Sequence, residues 1–192
     1  MYSTLGIILK RTGTGEANIY VHILTRDLGL IIATAQSARL HTSKLSSALT
    51  EYSLVSITCI KGKQGWKITD ARSPHNYYFK EVSFIHVQFL LAQISVFLLK
   101  MIPGEEAHAE IFDIVRAGFD FLDSVPITTS TEFELLLVLR ILYILGYVAK
   151  NSETKSFLNN MTLWNDEVLL QVMHTRKTLA FIINYALKES HL

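Results

Sequence analysis

Asn18-Ile-Tyr-Val-His-Ile-Leu-Thr-Arg-Asp-Leu-Gly-Leu-Ile-Ile-Ala-Thr-Ala35 decides how the first half of the chain is read. Ile19, Val21 and Ile23 fall on one face, and Tyr20 and His22 on the other. That two-residue period belongs to a half-buried strand. Arg26-Asp-Leu-Gly29 turns the chain, and Leu30 to Ala35, rich in β-branched residues, is the next strand. Before this pair, Gly6-Ile-Ile-Leu-Lys10 reads as a strand and Thr12-Gly-Thr-Gly-Glu16 as a glycine turn. After it, Leu54 to Ile60 alternates, with Val55, Ile57 and Cys59 opposite Ser56 and Thr58. Lys61-Gly-Lys-Gln-Gly65 is a hairpin loop, and Trp66 to Ala71 is a fifth strand. Five short strands in so little chain predict a small closed barrel, for which the OB-fold is the common answer among oligonucleotide binders.

At Ser73-Pro-His-Asn76 the hydrophobic period lengthens from two to a helical one. The fold class is therefore α+β: a five-stranded OB-fold β-barrel over 1–77, then an α-helical domain over 78–192. Expected helices are Phe84 to Met101, stopped by Pro103-Gly104, and Glu106 to Leu122, with Ile111, Ile114, Val115, Gly118, Phe121 and Leu122 on one stripe. Thr131-Glu-Phe-Glu134 matches a capping box opening a helix from Glu132 to Tyr147. That helix is apolar nearly all round, as at the centre of a bundle, with Arg140 as its only mid-helix charge. A polar connector from Asn151 to Asn160 and two shorter helices, Leu163 to Met173 and Thr175 to Lys188, complete the chain.

The 192 residues are 49% hydrophobic and 18% charged, a globular composition. The single cysteine, Cys59, excludes an intramolecular disulfide and a four-cysteine zinc site, and fits a reducing compartment. Met1-Tyr-Ser-Thr carries no secretory pattern, and the polar groups of Phe84 to Met101 argue for a buried helix over a membrane span. A net charge of +1 hides an asymmetry. Residues 1–79 hold nine Lys and Arg against four acids, a net +5, while 80–192 hold nine against thirteen, a net −4. A basic barrel suggests a polyanion partner.

No catalytic constellation emerges, and no enzyme activity, cofactor or metal is expected. The seven histidines are scattered, Thr12-Gly-Thr-Gly-Glu lacks the Gly-Lys-Ser/Thr ending of a phosphate loop, and neither Ser37 nor Cys59 has an adjacent base. What remains is cationic. Lys10 and Arg11 end the first strand, and Lys61, Lys63 and Lys67 flank the last hairpin. Arg39, His41 and Lys44 lie among Ser37, Ser43, Ser46 and Ser47 in a loop with no acid between Asp27 and Glu51. Such a loop can hold a phosphate backbone, but on residue types alone a solvated surface loop is the better account, so the reading needs support from the rest of the chain. Tyr20, Tyr52 and Trp66 are interleaved aromatics; rings beside cations serve single-strand binding, and rings in strands also serve cores.

Gly6-Ile-Ile-Leu-Lys, Gly15-Glu16, Leu24-Thr25 with Gly29, Ala35-Gln-Ser-Ala-Arg39, Ser43-Lys44-Leu45 and Tyr52-Ser-Leu-Val55 resemble, in order and spacing, the amino-terminal OB domain of the bacterial recombination mediator RecO. Phe133-Glu-Leu-Leu-Leu-Val-Leu-Arg-Ile-Leu-Tyr-Ile-Leu-Gly-Tyr147 is similar to that family's central helix. The resemblance implies a cytoplasmic, nucleoid-associated mediator of DNA repair and recombination. Such a protein binds single- and double-stranded DNA, anneals strands, engages the acidic tail of the single-strand-binding protein and, with RecR, helps load RecA at gaps. By position, Arg39 and Lys44 become the first DNA-contact candidates, and Lys10, Arg11, Lys61 and Lys63 the second. Arg140 becomes a candidate for a tail carboxylate, with an internal salt bridge to Glu106 or Asp113 as the alternative. Two departures stand out. Ser37 replaces the family's usual glycine, and Val148 to Asn160 has no cysteine where many members hold a zinc cluster. The competing functional readings are a protein-interaction adaptor on a passive barrel and an RNA-binding OB protein.

Overall fold

The computed structural model describes residues 1–40, 43–77, 85–124 and 130–189; His41 and the start of the first expected helix at Phe84 lie outside them. Five strands, β1 (Tyr2–Thr14), β2 (Asn18–Thr25), β3 (Gly29–Ala35), β4 (Ser53–Gly62) and β5 (Gly65–Asn76), close into a barrel in the order β1-β2-β3-β5-β4. All neighbours are antiparallel except β3 and β5, which run parallel. The barrel interior is filled from the inward positions that alternation selects. These are Ile19, Val21 and Ile23 on β2, Ile31, Ala33 and Ala35 on β3, and Val55, Ile57 and Cys59 on β4.

Several boundaries differ from expectation, each for a local reason. β1 is 13 residues long, so only Gly15 to Ala17 form the turn. β5 passes through the expected boundary at Ser73 to Asn76. It admits Pro74 because the register with β4 slips between Leu54 and Ser56, and such irregularities tolerate a residue without an N–H. The Arg39–Lys44 loop contains a short helix, α1 (Lys44–Ala48), which buries Ala48. Ser37 sits at φ 54°, in the left-handed region that favours glycine. A side chain at this φ carries strain. Ser37→Gly is expected to raise stability by about 1 kcal/mol, measured by urea unfolding; an unchanged or lowered midpoint contradicts this.

The helices are α2 (Ile85–Met101), α3 (Ala109–Ser124), α4 (Ser130–Ile144), α5 (Lys155–Leu158) and α6 (Asp166–Glu189). Two compact units emerge: residues 1–84 with 91–112, and residues 85–90 with 113–192, each taken over its described part. α2 and α3 each contribute to both units. In the first unit, the Leu30 N–H at the start of β3 donates to the Gly104 carbonyl at 2.9 Å. In the second, α4 packs against α6, and Arg176 reaches the largely buried Glu132 at 3.7 Å.

α4 begins at Ser130, so Thr131 is already helical and the capping box is not formed. Gly146, at φ 81°, follows the end of α4 as its left-handed residue. α6 is one helix of 24 residues where two were expected. No Gly or Pro interrupts Met173 to Thr178, and the Thr175 hydroxyl is absorbed by donating to the Gln171 carbonyl at 2.9 Å. Among the described residues, no helix is long and apolar enough to cross a membrane.

Candidate nucleic-acid interface

Strand register arranges the outer face of the barrel into rows. Thr12 opposes Tyr20, Tyr20 opposes Thr34, Thr34 opposes Lys67, and Lys67 opposes Ile60. Residues opposed in register share a face, so this row crosses the whole sheet from β1 to β4. One step along β2 on the same face, Lys10 opposes His22 and His22 opposes Ile32. Burial, and secondarily the Lys10 charge, hold the His22 imidazole below its ordinary range, so it is neutral at pH 7 and Lys10 is the cation of that row. A groove of about 650 Å³ runs along the main row, lined by Asn18, Tyr20, Thr34, Lys63, Trp66 and Lys67. Tyr20 is 44% exposed there. An exposed ring flanked by ammonium groups can stack a base while the cations neutralise its phosphates.

The other expected contacts divide. Arg39 lies at the β1–β2 turn: its Nη1 donates to the Gly15 carbonyl at 3.0 Å, and its guanidinium lies against Gly13. The Arg39 N–H donates to the Ala17 carbonyl, and the Ser37 N–H to the Asn18 side-chain oxygen, both at 2.9 Å. The segment 37–39 is thereby fastened to the turn beside the groove. Lys44 lines a different depression, of about 750 Å³, with Ser47, Asp70, Arg72, His75 and Asn76. Arg39 and Lys44, five residues apart in sequence, thus serve different surfaces. Arg72, which was not among the expected contacts, lies on the Lys44 surface through the β5 register and is ion-paired to Asp70 at 3.7 Å.

Two expected contacts are occupied inside the protein. The Arg11 N–H donates to Glu51 at 2.8 Å and its guanidinium to the Ser46 carbonyl at 3.3 Å, which anchors α1. Lys61 is ion-paired to Glu105 and sits 5.3 Å from the Trp66 ring centroid. The Lys61 hydrogen bond holds the Glu105 carboxyl below its usual range. Trp66 itself is core, 5% exposed, so it supports the groove floor and offers no open stacking face.

In the helical unit, Arg140 is 1% exposed. Its Nε donates to the Phe157 carbonyl at 3.2 Å, and its Nη2 to those of Asn160 and Leu163 at 3.3 and 3.0 Å. The guanidinium lies 4.5 Å from the Trp164 ring centroid. The bonds expected with Glu106 or Asp113 give way to backbone carbonyls, because the polar connector folds over α4 and brings three of them within reach of one planar fork. Arg140 consequently presents no surface to a partner's carboxylate in this conformation.

The family model described as "Recombination protein O N terminal" matches residues 1–77, the whole of the barrel sequence. By this match residues 1–77 are a RecO amino-terminal domain. It is 30% identical over 148 residues to the DNA repair protein RecO of Thermodesulfovibrio yellowstonii, a match covering 77% of this chain and 58% of that one. It is 28% identical over 127 residues to the RecO of a Nostoc species, covering 65% and 42%. It is 36% identical over 117 residues to that of Gloeothece citriformis, covering 60% and 40%. The chain spans about half the length of the curated relatives it matches. Within the RecO frame, Arg39 belongs to the segment that locks the β1–β2 turn, which gives the Ala-Arg element a structural job beside any contact with DNA. Among the described residues, no group of three or more His, Cys, Asp or Glu is placed to hold a metal ion.

Proposed function

We propose that this chain acts in DNA repair and recombination as a mediator whose barrel binds DNA across the Thr12–Tyr20–Thr34–Lys67 row. One observation carries the reading: the strand register sets an exposed tyrosine between Lys10 on one side and Lys67 on the other, beside a groove that Lys63 also lines. Bases of any identity can stack on Tyr20, so binding to single strands is sequence-tolerant. Contacts to backbone alone extend to duplexes, and holding both forms favours annealing. Arg39 at the turn extends the cationic border, and Lys44 with Arg72 forms a second, separate one. RecR, the acidic tail of the single-strand-binding protein and, indirectly, RecA are the partners this role implies, with the acidic helical half as their surface. A division of labour at 77/78 follows from the same reading.

A salt titration of binding to fluorescent oligo-dT tests it. The triple charge reversal Lys10→Glu, Lys63→Glu, Lys67→Glu is expected to weaken binding and to lower the slope of log K against log salt by about 2, at about 0.7 per single-strand phosphate contact. Tyr20→Ala should weaken binding with the slope unchanged. A triple variant that binds like the parent places DNA elsewhere. Salt-insensitive, negligible affinity favours the adaptor reading, and tighter binding to RNA of matched sequence favours an RNA substrate.

A further inference from the structure

α6 buries one side and leaves an apolar stripe on the opposite one. Leu169, Val172, Leu179, Ile183 and Ala186 face inward. At 100° per residue, Glu167, Leu170, His174, Phe181, Tyr185 and Lys188 form a single stripe about half a turn away, and all six are exposed. Phe181 is 72% exposed, Tyr185 61% and Leu170 49%. Large apolar side chains aligned on solvent-facing helix mark an interaction surface more often than an inert one.

The order of residues along the stripe identifies the partner. Leu170 and Tyr185 are equidistant from the Lys177–Thr178 peptide bond, as are His174 and Phe181, and as are Glu167 and Lys188. Two copies of α6 laid antiparallel about a two-fold axis at that bond would set each Phe181 on the partner's His174 and each Tyr185 on the partner's Leu170, with the exposed Lys177 and Thr178 flanking the axis, where the lysine stems lie beside the seam and their ammonium groups reach solvent. Each Lys188 would meet the partner's Glu167. An isologous interface requires this self-complementarity. A parallel pairing would instead oppose Lys188 to Lys188 and Glu167 to Glu167. The acid at one end and the base at the other select an occupant with the reverse order of charge, which the helix itself supplies.

We propose that the exposed face of α6 docks a second copy of this chain, antiparallel, with Phe181 and Tyr185 as the apolar anchors and Glu167–Lys188 pairs closing both ends. The helix spans about 36 Å at 1.5 Å per residue. The dimer forms and dissociates with concentration.

Sedimentation velocity on the full chain tests the proposal. The mass is expected to rise with concentration from 21.8 kDa toward twice that value. Phe181→Glu should hold it at the monomer, with an unchanged circular dichroism spectrum because the side chain faces solvent. Glu167→Lys alone, or Lys188→Glu alone, should weaken association by on the order of tenfold, and the double swap should restore it. A mass that stays at the monomer over the whole concentration range overturns the proposal. So does a dimer insensitive to Phe181→Glu, or a double swap no better than either single change.

Discussion

Gly29→Ala is expected to lower the stability of the barrel unit by about 3–5 kcal/mol, one of the largest effects available to a single methyl group in this chain. Two costs combine. Gly29 sits at φ 72°, where a side chain is strained whatever the surroundings. A Cβ there would also stand 2.3 Å from the Glu106 carbonyl oxygen and 2.7 Å from its carbon. Backbone cannot rotate aside as a side chain does, so the 104–106 segment must move. That motion breaks the Leu30 N–H bond to Gly104, which orders the start of β3. Gly15→Ala is the internal control. Gly15 has φ 57° with nothing within 4 Å of a built Cβ, so it should cost only the backbone strain of about 1 kcal/mol. Urea unfolding of both variants decides the point. Equal losses at the two positions would mean that the close approach of Glu106 contributes nothing.

Arg140→Met is expected to cost a similar amount, about 3–5 kcal/mol, and to loosen residues 157–163. The thioether fills much of the volume but donates nothing, so the carbonyls of Phe157, Asn160 and Leu163 lose their donors while buried. Arg140→Lys keeps the charge and should still fail, because one ammonium cannot present the planar fork that reaches three carbonyls and covers the Trp164 ring. Unfolding midpoints, Trp164 fluorescence and amide exchange across 157–163 provide the readout. Full stability in the lysine variant would show that charge alone suffices. Burial pushes the Arg140 guanidinium down to about 10, so it stays charged at neutral pH. The folded form sheds its proton before the unfolded chain does. This group therefore adds stability only as pH rises above about 10, and leaves the range from pH 6 to 8 flat.

Much of this protein was legible in one dimension. Alternation at Ile19, Val21 and Ile23 named the inward face of β2 and put Tyr20 and His22 outside, because a two-residue period permits no other sorting once one face is buried. The same rule gave five strands and a barrel. The run of apolar residues nearly all round α4 predicted a buried helix. Failures clustered where a local pattern met a remote partner. Lys61 looks like any hairpin lysine until Glu105, 44 residues later, is found beside it. Arg11 looks like a surface cation until its guanidinium is found donating to the Ser46 carbonyl, 35 residues later.

Composition and periodicity thus settled which side of each strand faces the core, for the reason that burying apolar surface has a period the backbone imposes. Which cations share a surface was decided only by tertiary structure. Strand register places Lys67 beside Thr34 and Tyr20, and the fold of a single loop sends Arg39 to the β1–β2 turn and Lys44 to β5. Register and loop path come from long-range closure of the barrel, and no window of neighbouring residues contains that information.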